Sequence, residues 1–395
     1  MNDCKNFPQR VCPICGSSKI NVFLEISGMP VHCNVIWKTY QEALNAPRAD
    51  IKLGFCNKCG HIYNVVFDSS LLHYTQNYEN SLHFSPRFNQ YAKSIAQKII
   101  NRFNLHNKTI LEIGSGKGDF LRLLCKLGNN KGFGFDPTYV PKPEDNKNQD
   151  ITFIQEFFNK KHSKYNADFI CSRHTLEHIW DPLDIIRTVK HCADDKNDII
   201  VFFEVPNGEY IVKQLAIWDI IYEHFSYFTP PSIVSAFKNA GFKIISLERE
   251  FNDQFLTIFV SNSLNRNMQS TVKYLDNLSN LVSDFAFRIE NKLKEWRWLV
   301  KNLAKTNKKT VVWGAGSKGV TFLNMMHNNS NIEYAIDLNP RKHNMYIAGS
   351  GQQIRAPQFL RRYKPDNIII MNAIYAEEIK TICNSMKIDA SFLVV

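Results

Sequence analysis

The chain has 395 residues, of which 44% are hydrophobic and 12% aromatic, which is enough apolar material for two or three domains. It contains no run of about 18 consecutive apolar residues, which excludes a membrane-spanning helix, and its start, MNDCKNFPQR, lacks the apolar stretch of a signal peptide. The formal net charge of +11 favours an anionic partner, although the basic residues form no cluster typical of nucleic-acid binding. We therefore expect a cytoplasmic protein whose partner is neither a membrane nor a nucleic acid.

Two copies of one cysteine motif lie near the start of the chain. CPICG contains Cys12 and Cys15, and CNKCG contains Cys56 and Cys59. Two such pairs can surround one zinc ion, and four thiolates leave no open coordination position, so we predict a structural zinc site. A redox pair is the minor alternative, and strands are predicted at NVFLEI and IKLGF between the motifs. Three nearby residues rank lower as ligands: His32, Cys33 and His61.

The stretch TILEIGSGKGDFLRLLCKLG reads as a strand, a glycine loop and a helix, the first unit of a doubly wound sheet. Glu112 precedes the first glycine, where a dinucleotide site usually has an apolar residue, and Asp136 ends the next strand, KGFGFD. This pattern resembles the S-adenosylmethionine site of Rossmann-like methyltransferases; a nicotinamide site is the alternative. The expected cofactor-binding residues are Glu112, Gly114, Ser115, Gly116, Gly118, Asp119 and Asp136, with Gln155 and Glu156 beside the adenine.

Further strands are predicted in DFICSRHTLEHIWDP and DIIVFFEVPN. Loops after the carboxyl ends of parallel strands surround the ligand, so we expect His174 and His178 near the reaction zone, with Glu204 at the end of the second strand. The segment YEHFSYFTP follows and places Glu223 and His224 among aromatic residues that are typical of a core or a pocket wall.

The last third of the chain begins with an amphipathic helix, predicted from Asn262 to about Lys309. A second strand, glycine loop and helix follow in KTVVWGAGSKGVTFLNMM. The loop lacks the third glycine of a dinucleotide site at the usual offset, and its Lys318 suits a phosphate, as do Arg341 and Lys342 in a later basic loop.

The chain carries, in this order, the cysteine motifs, YENSLHFSPRF, LEIGSGKGDFL, RHTLEH, EVPN, EHFSYF and VVWGAGSKGVTFLN. With these motifs it resembles the bacterial sugar C-methyltransferases over nearly its whole length. The resemblance implies an α/β fold with a zinc-binding domain (1–75), a Rossmann-like S-adenosylmethionine-binding methyltransferase domain (76–262), and a linking helix with a C-terminal Rossmann-like domain (263–395). It also implies methyl transfer to carbon 3 of a nucleotide-linked 4-keto-6-deoxy sugar of dTDP or GDP type, held between the last two domains. We expect a monomer or a small homo-oligomer.

A ketone at carbon 4 acidifies the proton on carbon 3, and a histidine is the usual base for such a proton. We predict that His224 removes it, that Glu223 is its partner, and that Tyr222 and Tyr78 donate hydrogen bonds, with His174 or His178 as an additional catalytic histidine. The family's usual Tyr-His-Glu-His is Ile-Tyr-Glu-His here, which leaves the role of Tyr222 open. The expected substrate-binding residues are Ser85, Arg87, Glu204, Asn207, Lys318, Arg341 and Lys342.

Three other functions are compatible with parts of this pattern. The first is methyl transfer to oxygen or nitrogen of a sugar by the same architecture. A zinc-containing nucleic-acid methyltransferase ranks lower, because the chain lacks both the Pro-Pro-aromatic motif for exocyclic amines and a Pro-Cys nucleophile. The third is a nucleotide-binding protein without catalytic activity.

Overall fold

The computed structural model describes residues 11–74, 76–143, 145, 150–194, 198–263, 272–326 and 331–395. The amino-terminal segment 1–10, in which the sequence predicts no signal peptide, lies outside these ranges, as does 264–271 at the predicted start of the linking helix. Within the described ranges, no helix combines the length and apolar character needed to cross a bilayer.

The N-terminal module is a small antiparallel sheet in which the predicted strands NVFLEI and IKLGF lie within β1 and β2. Its order is β1-β2-β3-β9, and the last strand comes from much later in the chain, with Ile62 opposite Tyr227 and Tyr63 opposite Ser226. The segment around His224 is therefore joined by a sheet to the cysteine-rich module. The elements are β1 (Ile20–Pro30), α1 (Tyr40–Leu44), β2 (Arg48–Cys56), β3 (Ile62–Asn64) and β9 (Ser226–Tyr227).

The central domain is built on a seven-stranded sheet of order β10-β11-β8-β7-β4-β5-β6. Its strands β6, β5, β4, β7 and β8 are parallel, and β11 and β10 add an antiparallel edge. The strands are β4 (Thr109–Ile113), β5 (Lys131–Phe135), β6 (Ile151–Ile154), β7 (Phe169–Arg173), β8 (Ile200–Pro206), β10 (Lys243–Glu250) and β11 (Phe255–Ser261). The helices are α2 (Pro86–Phe103), α3 (Asp119–Gly128), α4 (Pro182–Asp194), α5 (Gly208–Lys213) and α6 (Pro230–Asn239).

Both faces of this sheet are covered, which is why its central strands are almost continuously apolar. Alternate residues point to opposite faces, so Cys171 and Phe202 pack with α2 and α3, whereas Ile170 and Val201 pack with α4 and α6. Burial on both sides leaves the carboxyl ends of the strands as the place for polar side chains.

The predicted unit of strand, glycine loop and helix is confirmed at residues 109–128, where β4 is followed by α3. Gly114 has φ 69°, and a Cβ at this position would lie 2.0 Å from the Thr175 hydroxyl oxygen. Only glycine fits this close approach of the loop to the segment after β7.

The C-terminal domain is a five-stranded parallel sheet of order β14-β13-β12-β15-β16. The long helix α7 (Val272–Lys305) precedes it, inside the range predicted for a linking helix. The strands are β12 (Thr310–Trp313), β13 (Tyr334–Ile336), β14 (Gln353–Arg355), β15 (Asn367–Ile370) and β16 (Ser391–Val394). The helices are α8 (Ser317–Met326), α9 (Leu360–Tyr363) and α10 (Ala376–Ser385).

Candidate active site

A cavity of about 1220 Å³ lies where all three parts of the chain meet. Its walls are the carboxyl ends of β4, β5, β7 and β8, the segment 78–85 before α2, and the loop from β12 into α8. Ligands of open α/β sheets bind at the carboxyl ends of the strands. This cavity is large enough for two ligands side by side, because small-molecule sites range from about 300 to 1,000 Å³.

The glycine loop and two carboxylates form one wall. Gly114, Ser115, Gly116 and Asp119 line the cavity, as do Glu112 and Asp136. Asp136 is held in place because its Oδ2 accepts a hydrogen bond from the backbone N–H of Gly116 at 2.8 Å, and its Oδ1 accepts one from Thr138 at 2.7 Å. Gly118 lies outside the cavity lining and has the left-handed conformation at the N-cap of α3.

Glu112 is buried, and its Oε2 has no hydrogen-bond partner within the part of the chain that the structure describes. Burial raises the pKa of Glu112 from 4.5 to about 8. The carboxyl group is therefore mainly protonated at neutral pH in the ligand-free protein. A cationic group next to it would restore the carboxylate.

Because Glu112 is buried, we expect the stability of the ligand-free protein to depend on pH. The variant Glu112→Gln should lack this dependence. Between pH 4.5 and about 8 the folded protein holds a proton that the unfolded chain has released. Its free energy of unfolding should therefore fall as pH rises, by up to about 1.4 kcal/mol per pH unit from this group. Urea unfolding of both ligand-free proteins at several pH values checks this, and identical slopes for wild type and variant would contradict it.

The residues expected beside the adenine do not reach the cavity. Gln155 donates a hydrogen bond from Nε2 to the backbone oxygen of Tyr139, and Glu156 is exposed and pairs with Lys161. Phe157 and Phe158, the next two residues, line the cavity instead. The sequence signal for this wall, which sequence reasoning missed, is the pair of aromatic residues shortly after the short strand β6.

His224 and His178 lie together at the cavity. Their ring centroids are 4.8 Å apart with nearly perpendicular planes, and both residues line the cavity. Burial lowers the pKa of His224 well below its ordinary value, and the nearby His178 and His174 lower it further. His224 is thus a neutral imidazole at pH 7, and its buried Nδ1 has no hydrogen-bond partner among the described residues. It is in the protonation state that a general base requires.

His178 is held by two oxygens. Its Nδ1 lies 3.0 Å from the Tyr74 hydroxyl and 3.1 Å from the backbone oxygen of Glu223. Burial raises the pKa of Tyr74, and the Glu223 carboxylate raises it further, so this phenol stays protonated. Tyr74 lines the cavity and was missed by sequence reasoning, because a tyrosine outside any motif carries no signal of its own.

His174 belongs to a different cluster. Glu204 is fully buried and accepts hydrogen bonds from Arg173 Nη2 at 2.7 Å and from the Tyr91 hydroxyl at 2.5 Å, while His174 Nε2 lies 2.8 Å away. Burial alone would raise the pKa of Glu204, but Arg173 and His174 outweigh it and lower the pKa to about 2. Burial likewise disfavours a charged His174, but Glu177 and Glu204 raise its pKa to about 9. Glu204 is therefore occupied as the centre of an ion cluster and does not line the cavity, whereas Arg173 and His174 do.

Glu223 and Tyr78 occupy the wall beside the N-terminal module. The Glu223 carboxylate is fully buried, contacts His32 and accepts a hydrogen bond from the backbone N–H of Cys33. Tyr78 is buried but lines the cavity, and burial raises its pKa, with the Glu223 carboxylate raising it further. Tyr78 can thus donate a hydrogen bond to a ligand, whereas Glu223 cannot contact one.

Tyr222 and Asn207 have structural contacts and lie outside the cavity lining. The Tyr222 hydroxyl accepts a hydrogen bond from the backbone N–H of Asp68 at 2.8 Å, and its ring is buried. Asn207 caps helix α5, because its side chain accepts a hydrogen bond from the backbone N–H of Glu209. Tyr222, which is shifted by one position from the pattern of the resembled family, thus has a side chain that turns away from the cavity.

Two lysines from the C-terminal domain line the cavity. Lys318, in the first turn of α8, forms an ion pair with Asp219. Lys342 is buried, and its Nζ donates hydrogen bonds to the backbone oxygen of Ala315 at 3.2 Å and to Asn34 Oδ1 at 3.4 Å. Within the described part of the chain, Lys342 has no carboxylate partner, so its charge is available to an anion.

The other predicted substrate residues hold the domains together. Arg341 Nη1 donates to the buried carboxylate of Glu79 at 3.0 Å and does not line the cavity. Ser85 caps α2, lines the cavity and donates a hydrogen bond from its hydroxyl to Glu378 at 2.8 Å. The backbone N–H of Arg87 also donates to Glu378, and the Arg87 side chain is not part of the lining.

The four motif cysteines converge at the N-terminal module. Cys12 Sγ lies 3.5 Å from Cys59 Sγ, and Cys15 Sγ lies 3.6 Å from Cys56 Sγ, with all four sulfurs within 4.8 Å of one another. Four thiolates at about 2.3 Å from a zinc ion have sulfurs nearly this far apart, so the cluster fits a tetrahedral metal site. Three other residues, predicted as weaker ligands, lie outside the cluster: His32, Cys33 and His61.

Comparison with known proteins gives two family matches. Residues 87–247 match the family described as methyltransferase domain, and residues 260–395 match the C-methyltransferase C-terminal domain. No curated protein matches the chain at the sequence level.

Several solved structures are similar to part of the chain. A putative S-adenosylmethionine dependent methyltransferase from Listeria monocytogenes has 14% identity over 45% of this chain and 100% of that chain, with a TM-score of 0.34. The 1,6-didemethyltoxoflavin-N1-methyltransferase of Burkholderia thailandensis, with bound S-adenosylhomocysteine, has 12% identity over 44% of this chain and 79% of that chain, also with a TM-score of 0.34.

Proposed function

We propose that this chain methylates carbon 3 of a nucleotide-linked 4-keto-6-deoxy sugar with S-adenosylmethionine. The proposal starts from the two domains that the chain carries, a methyltransferase domain and a C-methyltransferase C-terminal domain. The observation that carries the proposal is the neutral His224, beside His178, in a cavity that reaches both the glycine loop and the C-terminal domain. A neutral imidazole next to a second one can accept a carbon-bound proton and pass it on.

The cofactor would be held by the glycine loop. S-adenosylmethionine supplies an electrophilic methyl group on a sulfonium sulfur. Gly114 lets the loop pass close to Thr175 at the edge of the cavity, Asp136 would offer carboxylate oxygens to ribose hydroxyls, and the unpartnered Oε2 of Glu112 would face a cationic amine. Phe157 and Phe158 supply an apolar surface at the far end of this wall.

The chain's own residues account for the proton and the charge. His224 takes the proton from carbon 3, and the electron pair of the broken C–H bond moves toward the ketone oxygen. Tyr74 and Tyr78, whose raised pKa values keep their phenols protonated, are available as donors to that oxygen. With the cofactor bound, the enolate carbon would bond to the methyl group as the bond between that methyl and the sulfonium sulfur breaks, which restores the ketone and leaves S-adenosylhomocysteine. His224 would then release its proton through His178 to solvent.

The nucleotide would lie toward the C-terminal domain. The N-terminus of the ten-residue helix α8 and the loop Gly314–Gly316 border the cavity, and helix N-termini favour phosphate. Lys342 adds a buried positive charge without a carboxylate partner in the described part of the chain. A diphosphate here would leave the sugar ring between the two domains, near His224.

The deciding experiment is hydrogen exchange followed by product analysis. With a dTDP- or GDP-linked 4-keto-6-deoxy sugar in deuterated water, and S-adenosylhomocysteine in place of the donor, we expect deuterium at carbon 3. With S-adenosylmethionine carrying a ¹³C methyl group, NMR should then show a methyl on carbon. A methyl on oxygen or nitrogen would favour the alternative sugar methyltransferase. Tight cofactor binding with neither exchange nor transfer would reject the keto-sugar substrates.

We further propose that the four cysteines hold a structural zinc ion. Cys56→Ser should release the metal and unfold the N-terminal sheet, because structural zinc sites contribute about 10–16 kcal/mol to folding. Since β9 belongs to this sheet, methyl transfer should be lost as well. Metal analysis and limited proteolysis of the variant check this, with Cys192→Ser as the control outside the cluster. A metal-free variant of unchanged protease resistance would contradict the prediction.

A further inference from the structure

The buried carboxylate of Glu223 connects the candidate base to the N-terminal module. Its Oε1 lies 3.3 Å from His32 Nδ1, and its Oε2 accepts a hydrogen bond from the backbone N–H of Cys33 at 3.1 Å. An unpaired carboxylate at such a site would be costly, so these two partners, together with the neighbouring Tyr78 hydroxyl, hold the side chain in place. Because His224 is the next residue, they also determine where its backbone lies.

Both ring nitrogens of His32 are used. Nε2 accepts a hydrogen bond from the backbone N–H of His73 at 3.2 Å, so this nitrogen carries no proton. A neutral ring then has its proton on Nδ1, which faces the Glu223 carboxylate and donates to it. One buried imidazole thus links the segment at residue 223 to the segment at residue 73.

These two segments carry the groups around the catalytic histidines. Tyr74 follows His73, and its hydroxyl lies 3.0 Å from His178 Nδ1. The backbone oxygen of Glu223 lies 3.1 Å from the same nitrogen. A displacement of either segment would therefore change the angle or distance between His178 and His224, whose rings are 4.8 Å apart.

We propose that His32 is a positioning residue that aligns His224 and His178, acting through Glu223 on one side and through the 73–74 segment on the other. The inference rests on the proposed function of His224 as the base. It gives the N-terminal module a role in catalysis besides metal binding, since His32 lies outside the four-cysteine cluster. His32 does not line the cavity and is therefore not itself catalytic.

The first test needs no substrate. In ¹⁵N-histidine NMR spectra of the full chain, His32 should be neutral with its proton on Nδ1, the reverse of the tautomer that free histidine prefers. Glu223→Gln should shift the His32 Nδ1 signal. A ring protonated on Nε2, or on both nitrogens, overturns the proposal. Because no sugar is involved, this result is independent of whether the proposed substrate is correct.

The second test separates alignment from general stability. His32→Leu should lower kcat by about 10²-fold with little change in KM, the loss expected when reacting groups are displaced by about 1 Å. His32→Asn keeps a donor near the Nδ1 position and should recover part of that loss. The double variant His32→Leu with Glu223→Gln should lose clearly less than the product of the two single losses, because both substitutions break the same contact between His32 and Glu223.

A matched control is available in the same module. His61 is also buried, and its Nε2 contacts the Ser226 hydroxyl on β9, away from Glu223. His61→Asn should lower the unfolding temperature while leaving kcat within about 2-fold, since no interaction with the reacting groups is removed. Losses that multiply in the double variant, or equal kcat losses for His61→Asn and His32→Asn, overturn the proposal.

Discussion

His224→Asn is expected to lower kcat for methyl transfer by about 10²- to 10⁴-fold, the range typical of a lost general base. Asparagine keeps a polar side chain of similar reach but cannot accept a proton from carbon. Deuterium exchange at carbon 3 should be lost to the same extent, because both processes need the same proton removal. Cofactor affinity, measured by calorimetry, should stay unchanged, since the glycine loop is untouched.

The pH profile adds a second criterion. A base acts when it is deprotonated, so kcat/KM should fall as the pH drops through the pKa of His224 in the free enzyme. Burial and the neighbouring His178 and His174 lower that pKa well below its ordinary value. The acid limb should therefore lie below about pH 6.5, the ordinary value for histidine. His106→Asn, at an exposed histidine, is the control and should retain wild-type rates. Unchanged turnover in His224→Asn would remove this residue from the mechanism.

Glu204→Leu is expected to lower the free energy of unfolding by about 3–5 kcal/mol, the cost of leaving a buried charge without its partner. Glu204 is fully buried, and Arg173, only 8% exposed, directs both Nε and Nη2 at its Oε1. Removal of the carboxylate would also remove the contact that helps keep His174 protonated. Urea unfolding monitored by circular dichroism measures the effect.

Two companion variants test the cause of that loss. Arg173→Leu combined with Glu204→Leu should recover much of the stability, because no buried charge is then left unpaired. Tyr91→Phe removes one hydrogen bond to the carboxylate and should cost about 1.5–3 kcal/mol. If the double variant is less stable than Glu204→Leu alone, Arg173 has other partners and the ion pair is not the main contribution.

Local sequence patterns predicted the strand, glycine loop and helix units well. β4 and α3, and later β12 and α8, lie within the predicted stretches, because a short apolar run, a glycine turn and a helical repeat are encoded within about twenty residues. The cluster of four cysteines was predicted equally well, since a metal site imposes its spacing on each pair separately.

The hydrogen-bond and ion-pair partners of polar side chains could not be predicted from local sequence in the same way. Glu204 was expected near the substrate, but Arg173 and Tyr91 occupy it, and Tyr91 comes from a helix that no motif indicated. Gln155 and Glu156 were expected beside the adenine, yet it is Phe157 and Phe158 that line the cavity. A strand end predicts which residues are nearby, but a single step along the backbone decides which side chain points inward.

The sequence by itself determined the two Rossmann-like units, the cysteine cluster and the presence of His224 in an aromatic segment, because each of these is set by residues that are close along the chain. The tertiary structure alone decided what surrounds His224. β9 pairs with β3 of the N-terminal sheet, Glu223 turns into that module to meet His32, and His178 rather than His174 lies beside His224. These contacts join residues that are far apart in sequence, and only the packing of the three parts against one another brings them within hydrogen-bonding distance.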